Sequence, residues 1–384
     1  MLKAIKIRLY PSQEQQIYVS KLLGSCRFIY NNLLAYKIEE YNKDKHSVSF
    51  SELGKKLTNL KSEYIWLKES HSKVLQQSLI NLEKAYSSFF KNGTGFPKFK
   101  SKHNDKQSCR FPSDAVGIIT GNRISIIKAL KDIHFKCSVN DEKYLNKNMG
   151  LIKSATLTKT KSGKYYLSIL IDKPINKILP KTDNIIGIDL GIKDFIITSN
   201  NVSFENIKTI RNNEKRLIKL QRELSKKQKG SNNRNKAKIQ LAKYHEKLKN
   251  IKENYLHHIT NTLLNENQVI VMEDLNILGM MKNHNLAKSI QELSLYRFKE
   301  MLKYKAEWYG RDIIEIDRFF PSSKLCSCCG NKNDELSLKD REWKCTSCNT
   351  IHNRDYNASI NILNEGKRII GLSSPKFKPL EKSQ

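Results

Sequence analysis

Cys326-x-x-Cys329 and Cys345-x-x-Cys348 stand 15 residues apart in a chain of 384. Each C-x-x-C turn aims two thiolates at one point, and two such turns complete a closed tetrahedral site. Four thiolates leave no open coordination position, so one Zn2+ held there is structural rather than catalytic. Cys328 lies inside the first pair; using it would break the matched spacing, so it is read as a non-ligand. Gly330 and Asn349 follow the two pairs, as tight knuckles prefer. Cys26, Cys109 and Cys137 are scattered singly, which does not suit a disulfide framework.

A second set of chemical groups is acidic. Asp189 ends the apolar run Ile185–Leu190, Glu273 follows Val269–Met272 directly, and Asp355 opens a helical pattern just after the second knuckle. They are 84 and 82 residues apart, so only the fold can bring them together. Hard carboxylate oxygens on converging strand ends and a helix start are what two-metal phosphodiester chemistry needs, with two Mg2+ ions as cofactors. Taken singly, each acid has an ordinary explanation: Asp189 as a turn former, Glu273 with Asp274 as a strand end, Asp355 as a helix cap.

The elements that must position these groups follow from periodicity. Residues 2–9 alternate as a strand, with Ile5, Ile7 and Leu9 on one face. Ser12 and Gln15 form a capping box for a long helix, and helical spacing continues to about Phe90. From 96 to about 172, short apolar runs between turn residues predict a small antiparallel sheet or barrel that the opening strand joins, making the helices of 11–95 an insertion. Pro174 and Pro180 mark a linker. Beyond it, strands are predicted at Ile185–Leu190, Phe195–Thr198, Val269–Met272 and Ile313–Ile316, with one amphipathic helix over 287–309 and another from Asp355 to Glu365. The expected organisation is a unit over 1–180 and a second over 181–370, the latter carrying a basic helical insertion at 208–252 and a zinc ribbon at 321–350. The Ser-, Pro- and Lys-rich tail 371–384 is expected to be disordered.

Charge indicates the partner. Lys and Arg number 69 against 38 Asp and Glu, a net +31 that a polyanion most simply offsets. Residues 208–252 hold 16 basic residues against three acidic ones and read as two helices broken at 230–233. Salt-bridged surface helices need both signs; this one-sided run, with Arg216, Arg222, Lys226, Lys227, Lys229 and Arg234, predicts contact with a nucleic-acid backbone. No run reaches the roughly 18 apolar residues of a membrane span. The N-terminus has no signal-peptide block, so a cytoplasmic, nucleoid-associated location is expected.

The motifs together resemble the TnpB family, the RNA-guided nucleases encoded by insertion-sequence transposons and related to type V CRISPR effectors. The resemblance rests on Gly187-Ile-Asp-Leu-Gly-Ile-Lys193, Val271-Met-Glu-Asp-Leu275, Ser322-Ser-Lys-Leu-Cys-Ser-Cys-Cys-Gly330 and Arg354-Asp-Tyr-Asn-Ala-Ser-Ile-Asn-Ile-Leu363. It extends to Leu9-Tyr-Pro11, Arg27-Phe-Ile-Tyr-Asn31, Gly95-Phe-Pro-Lys-Phe-Lys-Ser-Lys102 and Leu224-Ser-Lys-Lys-Gln-Lys-Gly-Ser231, so it covers nearly the whole chain. It implies a multi-domain α+β protein: an N-terminal wedge-like β-barrel with a helical recognition insertion, then a RuvC-like RNase H fold interrupted by the ribbon. Asp189, Glu273 and Asp355 become the RuvC triad, with Arg354 and Asn357 as neighbours. A guide RNA from the transposon end would pair with double-stranded target DNA beside a short adjacent motif, in keeping with base pairing reading sequence and protein reading a short duplex. Gln76 and Gln77 are candidates for reading that motif, since Gln pairs bidentately with adenine. The chain departs from the family at Cys328 and at Leu295-Tyr296, where Trp is frequent. Two other readings remain: a nuclease-inactive, guide-dependent repressor, which should lack one of the acids, and a DDE-like transposase, which also uses three acids. The adjacent motif, the guide and the oligomeric state are not legible.

Overall fold

The opening strand does not pair with its sequence neighbours. In the computed structural model, which describes residues 2–103, 107–117, 119–172, 178–337 and 339–372, the first part of the chain carries β1 (Leu2–Tyr10), α1 (Gln13–Asp44), α2 (Phe50–Glu63), α3 (Ser72–Asn92), β2 (Gln107–Pro112), β3 (Ile119–Thr120), β4 (Arg123–Ile124), β5 (Ile133–Lys136), α4 (Val139–Lys147), β6 (Ile152–Lys159) and β7 (Tyr165–Asp172). β1 runs antiparallel to β7 from Leu2 to Leu9, and its last three residues pair with β5. The alternation in its sequence decides which face is covered: Ile5, Ile7 and Leu9 are buried. α1 to α3 are thus inserted between strands of one sheet. Ser12 caps α1, with Gln15 closing the reciprocal bond of a capping box. One core joins the sheet to these helices through Phe111, Phe135, Leu22 and Leu33.

The strand order is β2-β6-β7-β1-β5-β4-β3, antiparallel throughout. The expected barrel is not closed: among the described residues no pairing joins β2 to β3. β3 and β4 span two residues each, too short a ladder to close a cylinder with the six-residue β2.

The second part carries β8 (Ile185–Leu190), β9 (Asp194–Thr198), β10 (Ser203–Glu205), α5 (Thr209–Asn212), α6 (Glu214–Ser225), α7 (Asn232–Glu266), β11 (Val269–Glu273), α8 (Ile277–Met280), α9 (His284–Leu293), α10 (Leu295–Tyr309), β12 (Asp312–Ile316), β13 (Glu342–Lys344), β14 (Ile351–Asn353) and α11 (Arg354–Ile369). Its sheet has the order β10-β9-β8-β11-β12; β8, β11 and β12 are parallel, while β9 and β10 run antiparallel. Strands covered on both faces read as continuous apolar runs, and alternation divides them between two cores. Ile186, Ile188, Ile270 and Met272 pack with helix residues such as Leu256, Phe298 and Leu302. Val269, Val271 and Ile316 pack with Ile362 of α11 on the opposite face.

Two expectations need correction. The helix over 287–309 is two, α9 and α10, because Ser294 takes a left-handed conformation with φ of 57° and ends the first. The break in the basic segment lies at 226–231, earlier than 230–233, and α7 then continues to Glu266. Two compact units share the chain: Met1–Pro174 with Gln228–Lys243, and Ile175–Lys227 with Tyr244–Gln384. Pro174 of the expected linker and residues 373–384 of the expected tail lie outside the described residues. Among those described, no helix is long and apolar enough to cross a membrane.

Candidate active site and metal centre

Register brings the first two acids side by side. Met272 pairs with Ile188 across the parallel β11–β8 ladder, so Glu273 and Asp189 are the next residues at the same end of adjacent strands. Adjacent strands lie about 4.8 Å apart. Both acids share the face of Ile185, Gly187, Val269 and Val271, which is the face α11 covers. Two glycine contacts set that helix. A Cβ on Gly187 would meet the Ser359 carbonyl oxygen at 2.3 Å and the Leu363 nitrogen at 2.6 Å. A Cβ on Gly366 would meet both Val271 methyls at 2.4 Å. The close approach of α11 to β8 and β11 holds its first turn, with Asp355, over the acid-bearing strand ends. Asn353 accepts from the Tyr356 amide as the helix cap, so Asp355 is not spent on capping.

The electrostatics follow from this crowding. Burial, then the charges of Glu273 and Asp355, raise the Asp189 carboxyl to about 8, against a weaker opposing pull from Arg354. Burial raises Glu273 as well, partly offset by the Ser322 hydroxyl, which donates to its Oε1. Asp355 accepts from Arg341 Nη1 at 3.0 Å. Among the described residues, the clusters of metal-binding side chains with ligand atoms all within 4.8 Å are made by cysteines and His352, so the three carboxylates are spread more widely than that. Asp274 has the opposite fate to its neighbour: Lys299 and Arg318 pair with it at 2.8 and 2.6 Å and lower its pKa. Strand alternation sends one acid into an ion-pair network and leaves the other beside Asp189.

The four expected zinc ligands come together. Cys326, Cys329, Cys345 and Cys348 form one cluster, with Sγ–Sγ distances of 3.5 Å for Cys326–Cys348 and 3.6 Å for Cys329–Cys345. Thiolates at the vertices of a tetrahedron with Zn–S bonds of about 2.3 Å sit about 3.8 Å apart, so the set fits a zinc ion. The knuckles repeat one pattern. The Cys326 amide donates to Asn331 and the Gly330 amide to Cys326; the Cys345 amide donates to Thr350 and the Asn349 amide to Cys345. Gly330 and Asn349 take φ of 77° and 59° to make these turns. The sequence did not point to His352, whose Nε2 lies 3.0 Å from Cys326 Sγ and whose ring packs on Trp343. It can also group with Cys326 and the exposed Cys328, but the four-cysteine set alone completes a tetrahedron.

Asn357 and Asn361, both buried, tie α11 to the ribbon entrance. Asn357 accepts from the Ser327 amide and donates to Leu325 O; Asn361 donates to Ser322 O and Leu325 O. Asn357 thus ties α11 to the ribbon entrance. Ser322 and Asn361 lay within the family-like motifs without an assigned role, and Arg341 lay outside them; their contacts give them one.

The basic candidates remain at the surface. Arg216, Arg222, Lys226, Lys227 and Lys229 are exposed and Arg234 half-buried; the side chains of Arg216, Arg222, Lys226 and Lys229 make no ion pair among the described residues. Arg354 donates to Ser337 O at 3.5 Å. Gln76 is exposed on α3, while Gln77 is half-buried and lines a cavity with Asn81, Lys100 and Arg110.

Three stretches match known families: residues 168–284 a family described as "Probable transposase" (OrfB, IS605), residues 296–362 the "Cas12f1-like, TNB domain", and residues 1–46 a "Helix-turn-helix domain" of the same OrfB group. Residues 1–46 hold a strand and one long helix rather than two short helices. A "Putative RNA-guided DNA endonuclease" of Streptomyces pristinaespiralis is 33% identical over 366 residues, covering 95% of this chain and 89% of that protein. "Putative RNA-guided DNA endonuclease InsQ" of Escherichia coli K12 is 29% identical over 388 residues, covering 96% and 93%. A solved structure of Cas12f1 with its single-guide RNA and target DNA shares the fold with a TM-score of 0.58 at 16% identity, covering 95% of this chain and 99% of that one. The chain belongs to this OrfB/IS605 family, the TnpB proteins that its motifs resemble.

Proposed function

We propose that this protein is an RNA-guided DNA endonuclease of an insertion-sequence transposon, cutting double-stranded DNA at Asp189, Glu273 and Asp355. The observation that carries the reading is the placement of these acids: two adjacent parallel strand ends and the first turn of α11, all on one face of one sheet. The strand order 3-2-1-4-5, with two antiparallel hairpins, β8–β9 and β9–β10, and parallel pairing of β8, β11 and β12, supports a RuvC-like, RNase H-type nuclease unit interrupted by a structural zinc ribbon. The 1–180 region is assigned to recognition, as an open wedge-like sheet with α1 to α3 inserted.

The three carboxylates fit a divalent-metal site, because burial, and then the charges of Glu273 and Asp355, keep Asp189 protonated near neutral pH unless cations compensate it. When bound, two Mg2+ ions would supply the charge that activates a water and stabilises the leaving oxygen. The chain's own residues do the rest. Asp189 and Glu273 hold their oxygens at fixed positions on rigid strands. Ser322 orients the Glu273 carboxylate, and Arg341 neutralises Asp355. The guide RNA would lie on the basic residues of 208–252, of which Arg216, Arg222, Lys226 and Lys229 make no ion pair among the described residues. The presence of all three acids speaks against the nuclease-inactive reading, and the long basic segment fits guide binding better than a DDE transposase.

Co-expression with RNA transcribed from the flanking locus, followed by challenge with a plasmid library randomised beside the target, tests this. Guide-matched cleavage next to one short motif, lost in Asp189→Ala, is the expected result. A purified protein carrying no discrete RNA, or cleavage that survives Asp189→Ala, would overturn it.

A further inference from the structure

Arg27 on α1 is half-buried, yet its guanidinium makes no hydrogen bond, ion pair or ring contact among the described residues. A partly desolvated cation without a counter-charge is costly unless a ligand supplies one. Arg27 lines a cavity of ≈ 410 Å³ whose other walls include Tyr18, Lys21, Phe28, Trp66 and Glu69. That lies within the roughly 300–1,000 Å³ range of small-ligand sites. Phe28 meets Tyr64 edge-on at 4.9 Å and Trp66 at 5.1 Å, so the rings brace one another while Trp66 stays 43% exposed. At one side Lys21 and Glu69 neutralise each other at 2.8 Å, leaving Arg27 as the uncompensated charge. The wall behind is rigid, since the buried Ser70 hydroxyl donates to Ser25 Oγ at 2.8 Å.

A flat aromatic surface beside one free guanidinium suits a ligand with a planar apolar part and a single anionic group an arm's length away. A nucleotide has that form: its base can stack on an aromatic face while its phosphate takes a bidentate pair from Arg. A base inside a duplex has no free face to offer, so the nucleotide must be unpaired. We propose that this pocket holds one unpaired nucleotide of the bound nucleic acid, its base against Trp66 and Phe28 and its phosphate on Arg27. The inference rests on the nucleic-acid reading above and adds where, and in what state, a single nucleotide is held.

Binding of a short oligouridylate and a short oligodeoxythymidylate to the full-length protein, read by affinity and by quenching of tryptophan fluorescence, tests it. Trp66→Ala should weaken binding about tenfold and remove most of the quench; Arg27→Gln should weaken it similarly and flatten the salt dependence by about one phosphate's worth. Trp66→Phe and Arg27→Lys should recover much of the loss, which a merely misfolded variant would not. Loss confined to the RNA oligomer identifies the guide as the source, and loss confined to DNA identifies a separated target strand; either supports the pocket. Normal wild-type binding with both Ala and Gln variants unaffected overturns the pocket and leaves the nuclease reading standing. Failure of the wild type to bind either oligomer overturns the pocket, while the nuclease reading stands or falls on guide-matched cleavage.

Discussion

Asp189 carries opposed demands. Its carboxyl is raised to about 8 in the folded protein, against about 3.9 in an unfolded chain. Between roughly pH 4 and 8 the unfolded state has given up this proton while the folded state keeps it, so stability falls as pH rises through that window and levels off above it. Asp189→Asn removes the cost. Without added divalent cation at pH 8, the variant should be more stable than the parent by on the order of 5 kcal/mol, with a flatter stability–pH curve, while cleavage is lost. Denaturant titrations at pH 5, 6.5 and 8 check this; a variant no more stable than the parent at pH 8 would show that the acid is relieved by other means. Adjacent Asp274, already paired with Lys299 and Arg318, illustrates why residue type alone could not separate structural from chemical acids.

At the scale of elements, the determinant is how closely α11 lies on the sheet. Gly187→Ala places a methyl against backbone atoms of α11, which cannot swing aside as a flexible side chain would. The helix must lift, and overpacking of this kind costs about 1–3 kcal/mol. Because Asp355 rides on the same helix, cleavage should fall by more than the stability loss explains. Gly54→Ala, in α2 with nothing within 4 Å of the added carbon, serves as contrast; it should leave cleavage intact and stabilise by up to about 1 kcal/mol. Thermal melts with cleavage rates on the two variants decide whether this contact positions the site. The motif Gly187-Ile-Asp189 made the strand and its acid visible, whereas the reason for its glycine lies in a helix more than 170 residues away in sequence.

At the scale of the whole molecule, the net +31 is a statement about a partner. Arg222 is exposed on α6 and has no ion-pair partner among the described residues. Arg222→Ala should weaken RNA binding a few-fold and lower the slope of log affinity against log salt by about one, with no change in target sequence preference. Binding isotherms at several salt concentrations would show it; an altered sequence preference would indicate a base-reading role instead.

Much of this protein was readable before any coordinates. The paired C-x-x-C turns indicated four thiolates around one ion, because tetrahedral coordination by two tight turns tolerates few spacings. The apolar runs ending in Asp189 and Glu273 indicated buried strands, because period and composition report local geometry directly. What the sequence left open was long-range. Strand register put Asp189 beside Glu273, two glycine contacts set α11 over them, and Ser294 split a helix that periodicity read as continuous. Among the described residues no pairing closes the first sheet, where a barrel was expected, since closure depends on pairing between strands at its far edges rather than on any local pattern. Arg341, Ser322 and His352 acquired their importance only from what they touch. Local propensity and ligand spacing are written residue by residue; which acid meets which cation depends on contacts between segments remote in the chain, and only the packed structure decides those.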